Sequence, residues 1–190
     1  MEGSNSILKD LMAAKADGNT AFSKKDYPAA KKKYSYIMQT IKGLLPDGIN
    51  SDVPQGMNSE GKKALFELQT SIYSNLCQTY IIEGNYKIAL DRAEEGLKIS
   101  PDHTKLLFKK AKILCELQQY DPSIELLKSL LKKGGDEEEK RLILIEIEKV
   151  KEAKKKHEDK HEQKFKGFLI GQPLTEEPKK ASDGNIKLAY

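Results

Sequence analysis

Apolar and small residues recur at three-to-four spacing along most of the first 150 residues, most densely over residues 65–101. Leu65, Leu68, Ile72, Leu76 and Tyr80 form one series, and Ala89, Leu90, Ala93 and Leu97 form the next. Each series falls on a single helix face. Glu83-Gly84-Asn85 separates them, with Asn85 placed to cap the second helix and Pro101 to stop it. The pattern predicts a helical hairpin too small to bury its own apolar face, so neighbouring copies must cover it.

Copies are present. The break at Asn85-Tyr86 recurs as Gln119-Tyr120, 34 residues on, and as Asp26-Tyr27, 59 residues back, which is 34 plus an insertion of 25. Small positions line up before the break as Gly18, Cys77 and Ala111, and after it as Ala30, Ala89 and Ser123. Tyr34, Ala93 and Leu127 follow, then Ile37, Gly96 and Leu130. A helix-turn-helix unit of about 34 residues is the period of the tetratricopeptide solenoid. On these residues the chain resembles the tetratricopeptide repeat family over about residues 11–136, most strongly in the second repeat. It departs from the family pattern at Lys110, where an apolar residue is usual, and at Tyr73, which stands at the usual Trp position. The resemblance implies an all-α fold of three helix-turn-helix repeats in a right-handed superhelix, closed by a long C-terminal capping helix.

Residues 1–6 are polar and expected to be flexible. The repeat domain is expected over 7–135, with repeats at about 11–44, 70–103 and 104–137, and a turn-rich loop over 45–59. Helices are predicted at 7–23, 27–44, 60–82, 86–99 and 102–117, and from Pro122 to about residue 132, with Asp26, Ser59, Asn85 and Asp121 as caps. Gly134-Gly135 breaks the chain, and residues 136–169 read as one long helix with acidic residues in its first turn. Leu142, Ile143, Ile145, Ile147 and Val150 are expected to cover the end of the last repeat. Residues 170–190, with Pro173, Pro178 and Gly184, read as a disordered tail. A long loop after the first repeat, feeding an extended helix, resembles the repeat domains of the large FK506-binding and cyclophilin immunophilins. Their isomerase domain is absent from this sequence.

Five polar residues sit at repeat positions that face a groove in such a superhelix. Lys15 and Asn19 are four apart on the first helix, Asn75 lies on the first helix of repeat 2, and Lys105 and Lys109 are four apart on the first helix of repeat 3. Three ammonium groups and two amides converging on one surface make an anion site, because ammonium–carboxylate hydrogen bonds are about twice as strong as neutral ones. The same residues, within K-A-D-G-N, Y-S-N-L and K-L-L-F-K-K-A, resemble the carboxylate clamp of co-chaperones that bind the C-terminal Glu-Glu-Val-Asp of heat-shock chaperones. The resemblance implies a non-enzymatic adaptor that docks on the tails of 90-kDa or 70-kDa chaperones and holds both carboxylates of a terminal Asp. Lys109 stands as the lysine variant of an Arg-or-Lys position, and lacks the planar fork of an Arg. Gln78 and Lys112 are candidate further groove residues. The alternative is a repeat scaffold for some other acidic or C-terminal peptide.

Composition adds bounds. The net charge of +4 is too mild to argue for nucleic acid, and no stretch approaches the apolar length of a membrane span. With no apolar secretory signal, a cytoplasmic protein is expected. Cys77 and Cys115 read as reduced thiols on helices. No phosphate-binding loop, catalytic triad or cofactor motif is present. His157-Glu158-Asp159-Lys160-His161 fits the H-E-x-x-H string, but it lies in a Lys/Glu-rich helix without the apolar cleft or third ligand of a zinc hydrolase, so no metal is expected. Residues 149–169 are basic, with Phe165 and Phe168 near their end. They read as a solvated extension whose end packs back, or alternatively as a calmodulin-binding helix.

Overall fold

The computed structural model describes residues 2–52, 54 and 57–169. The expected tail over 170–190 lies outside the described residues. The fold is all-α: α1 (Glu2–Ser23), α2 (Tyr27–Leu44), α3 (Ser59–Ile82), α4 (Tyr86–Ile99), α5 (Thr104–Glu116), α6 (Tyr120–Lys133) and α7 (Glu137–Leu169). A short 3-10 turn, Gly48–Asn50, sits in the loop before α3. Helices pair as α1–α2, α3–α4 and α5–α6, and each hairpin packs on the next.

The aligned positions of the three copies are the buried ones. Ala30, Ala89 and Ser123 are inaccessible, as are Tyr34, Ala93 and Leu127 four residues later. The Ser123 hydroxyl is satisfied by donating to the Ala111 carbonyl at 2.7 Å, so a polar side chain is tolerated at a packing position. Two glycines permit close approaches between packed helices. A Cβ on Gly18 would stand 2.6 Å from the Tyr34 ring, and one on Gly96 would stand 2.6 Å from Leu106 and 3.0 Å from Tyr73.

The hairpin turns repeat as well. Lys25, Gly84 and Gln118 all take left-handed φ, at 63°, 74° and 62°. Each is followed by an N–H that reaches back to close the preceding helix: Asp26 to Ala21, Asn85 to Tyr80 and Gln119 to Leu114. Only one of the three left-handed positions is glycine, so glycine alone marks one turn of three.

Several local expectations are corrected. α1 begins at Glu2, inside the stretch expected to be flexible, because its polar residues carry no apolar period to mark a helix. α3 is capped by Asn58, whose Oδ1 accepts from Gly61 N, rather than by Ser59, which lies inside the helix. Asn85 holds the cap position of α4 without a side-chain cap bond. α5 starts at Thr104 and is capped by His103, and α6 starts at Tyr120, which puts Asp121 and Pro122 inside its first turn. Pro is tolerated there because the first N–H groups have no helical partner.

The chain divides into two units, Met1–Lys151 and Glu152–Tyr190, with the division inside α7. Ile143, Ile147 and Val150 explain why the first part of α7 belongs with the repeats: spaced four and three apart, they share one face and pack with Ala111, Leu127 and Leu130. Leu142 and Ile145, expected to join them, are 50 % and 43 % exposed because they lie off that face. In the second unit α7 carries i,i+4 ion pairs, Lys154–Glu158 and Lys166–Glu162. Phe165 and Phe168 are 63 % and 77 % exposed.

Candidate functional site

α1, α3 and α5 are the first helices of the three hairpins, and they touch in sequence, α1 on α3 and α3 on α5. Their shared face carries all five clamp candidates. α3 is the hub: it receives α1 through Asn75 and α5 through Ser74.

Asn75 Nδ2 donates to Asn19 Oδ1 at 2.8 Å. The same oxygen accepts the Tyr34 hydroxyl at 2.9 Å, and Tyr34 rises from the buried face of α2. One amide oxygen thus joins three helices. Asn19's own N–H2 group has no partner among the described residues, and it is exposed. On the other side of α3, Lys109 Nζ donates to the Ser74 carbonyl at 2.7 Å and to the Ser74 hydroxyl at 2.8 Å.

Burial holds the Lys109 ammonium below the usual lysine pKa, and the nearby charge of Lys105 pushes the same way. Burial likewise lowers Lys15, which is half-buried on α1. Lys105 and Lys112 are exposed. None of Lys15, Lys105, Lys109 and Lys112 has an acidic ion-pair partner among the described residues.

Two cavities open on this face. One, of about 430 Å³, is lined by Lys15 and Asn19 with Met12, Ala16, Ala64, Glu67 and Leu68. The other, of about 290 Å³, is lined by Gln78, Thr104, Lys105, Lys109 and Lys112, with Phe108, Glu139, Leu142 and Ile143. Asn19 is therefore brought onto Asn75, and Gln78 and Lys112 are brought beside Lys105 and Lys109. Lys15 lines a different cavity from the α5 lysines. Each cavity offers ammonium donors beside apolar walls, which suits an acidic peptide carrying apolar side chains.

Some participants escaped sequence reasoning. Ser74 carries no signal beyond adjacency to Asn75, and the hydroxyl of Tyr34 was hidden behind its role as a core residue. The α7 wall of Glu139, Leu142 and Ile143 depends on how that helix packs. His103 lies at the edge of the face, its Nδ1 accepting Leu106 N–H at 3.2 Å. Burial lowers its pKa, with Lys109 and Lys105 adding to the effect.

Elsewhere, the His157 and His161 rings lie edge to face at 4.7 Å on α7. No group of three or more metal-ligating side chains occurs among the described residues. Cys77 is buried, which pushes its thiol up to about 11, whereas Cys115 is only partly buried, and both are free. No helix among the described residues is long and apolar enough to cross a membrane.

Residues 80–142 match the model of the tetratricopeptide repeat family. Repeats of this family are in general protein-interaction modules, and no enzymatic family is indicated. Among solved structures, the chain is similar to the C-terminal TPR-containing domain of a Plasmodium falciparum FK506-binding protein. The TM-score is 0.54 at 18 % identity, over 78 % of this chain and 95 % of that one. At that identity the likeness is one of fold, a tetratricopeptide-like helical repeat.

Proposed function

We propose that this chain is a non-enzymatic adaptor whose α1–α3–α5 face binds the free C-terminal end of an acidic peptide, of the Glu-Glu-Val-Asp kind that ends the 90-kDa and 70-kDa heat-shock chaperones. One observation carries the reading: Asn19 and Asn75 are joined at 2.8 Å in a surface where Lys15, Lys105, Lys109 and Lys112 have no acidic partner among the described residues. Such a surface is set up for an anion supplied from outside. Lys15, Asn19 and Asn75 provide donors for one carboxylate, and Lys105 and Lys109, with Gln78 and Lys112, surround the second cavity. A terminal Asp offers two carboxylates where an internal one offers a single group, so the chain end is what the face selects. A repeat scaffold for a different acidic C-terminus uses the same surface, and residues upstream of the end decide between partners.

Calorimetric titration with Met-Glu-Glu-Val-Asp tests this. The free acid is expected to bind, and both the C-terminal amide and the Lys105→Ala protein are expected to fail. Equal binding of acid and amide overturns the reading. So does binding of neither, and calcium-loaded calmodulin then becomes the titrant, because Phe165 and Phe168 stand exposed on a lysine-rich helix.

A further inference from the structure

Lys105 and Lys109 are one turn apart on α5, yet they hold different positions. Lys105 is exposed and makes no hydrogen bond among the described residues, whereas Lys109 is half-buried and already bonded. An ammonium has three donors. Two of Lys109's are committed to Ser74, one to its carbonyl and one to its hydroxyl, at 2.7 and 2.8 Å. Ser74 is itself buried. The next residue in α3 is Asn75, which holds Asn19. Swinging Lys109 out to meet a ligand would strip the buried Ser74 hydroxyl of its bond, and unpaired buried polar groups are costly.

We propose that Lys109 is a positioning residue: it ties α5 to α3 at Ser74 and so sets Asn75, while Lys105 and Lys112 supply the α5 charge that meets the peptide. Lys112 lines the same cavity, is exposed, and lies seven residues from Lys105, on the same side of the helix. The donor count fits the assignment, because Lys109 has one N–H left for an arriving carboxylate where Lys105 has all three. This inference rests on the groove reading above and assigns the roles within it.

The test measures free-acid Met-Glu-Glu-Val-Asp affinity across a potassium chloride series for the wild type and for Lys105→Met, Lys109→Met and Ser74→Ala. Salt screens direct charge contacts. Lys105→Met is expected to weaken binding about tenfold or more and to flatten the salt dependence, since a charge-assisted contact is lost. Lys109→Met is expected to weaken binding severalfold with the wild-type salt dependence intact. Ser74→Ala is expected to act in the same direction, and to add little on top of Lys109→Met, as two members of one interaction do. The side-chain amide resonances of Asn19 and Asn75 should shift in Lys109→Met and stay in place in Lys105→Met, which a change in overall stability alone would not produce. If Lys109→Met flattens the salt dependence as much as Lys105→Met and leaves the amide resonances unmoved, Lys109 touches the ligand and the inference is overturned. If the wild type fails to bind the free acid, the groove reading fails and this inference falls with it.

Discussion

Lys109 and Lys110 are adjacent on α5, about 100° apart around it, and reach different helices. Lys110 reaches Glu94 on α4 at 2.8 Å and forms an ordinary surface ion pair. Lys109 turns to α3 and finds only the neutral oxygens of Ser74. The difference extends beyond these two. Lys31 pairs with Glu83, Lys33 with Asp17, Lys98 with Glu95, and Lys133 with Asp102. Lys15, Lys105, Lys109 and Lys112 have no such partners among the described residues. Charge on the paired lysines is neutralised within the fold. Charge on Lys15, Lys105, Lys109 and Lys112 is not neutralised by an acidic partner among the described residues, and composition alone cannot reveal it, because the net value of +4 averages the two populations.

The largest expected effect comes from exchanging one member of each population. Lys105→Met should weaken binding of an acidic free-acid peptide by about tenfold or more while leaving the melting temperature almost unchanged, because it loses a charge-assisted contact made only in the complex. Lys110→Met should do the reverse: binding is retained, and stability falls by about 0–1 kcal/mol, the usual worth of a surface pair. Calorimetry together with thermal melts reads both. Matching losses of affinity would erase the distinction between the two faces.

A smaller effect sharpens the same contrast without touching a charge. Tyr34→Phe removes the hydroxyl that donates to Asn19 Oδ1. The loss should cost about 1 kcal/mol of stability in a urea melt and weaken peptide binding a few-fold, since one bond of the amide bridge is gone. Unchanged affinity would mean that the bridge does not preorganise the face.

The smallest effect is a pH dependence at the edge of the groove. The His103 ring must be neutral at Nδ1 to accept the Leu106 N–H, and burial lowers its folded-state pKa below the unfolded value of about 6.5. A depressed histidine favours the neutral form in the native state. Its contribution is therefore full above the unfolded value, is lost as pH falls through that value, and stops changing below the folded one. Urea melts at pH 7.5 and pH 5 should show this segment of acid destabilisation. His103→Asn, which keeps a cap acceptor without a titrating group, should remove it. Persistence of the same segment in that variant would place its origin elsewhere.

Most of the architecture is legible in the sequence, because it is local. A helix face is a property of spacing within one helix, so Leu65, Leu68, Ile72 and Leu76 declare themselves, and the repeated small positions at Ala30, Ala89 and Ser123 declare the hairpins. Caps were less legible. Asn58 caps one residue before the expected Ser59, and His103 caps one residue after the expected helix start at Asp102, because the choice depends on how the incoming loop lies. The apolar content of α7 was visible, but not its division. Ile143, Ile147 and Val150 are buried while Leu142 and Ile145 are exposed, because the end of the last repeat accepts one stripe of the helix.

The sequence by itself determined the helices, their period and the five polar positions on the first helices. The tertiary structure decided what those positions are to one another. It put Asn75 on Asn19 across 56 residues of chain and Lys109 on Ser74 across 35, and it separated lysines with acidic partners from lysines without them. The physical reason is one of range. Periodicity is set by the geometry of a single helix, whereas a hydrogen bond or ion pair exists only at contact distance. That distance is fixed by how the helices pack, with close approaches such as Gly18 on Tyr34 and Gly96 on Leu106 and Tyr73.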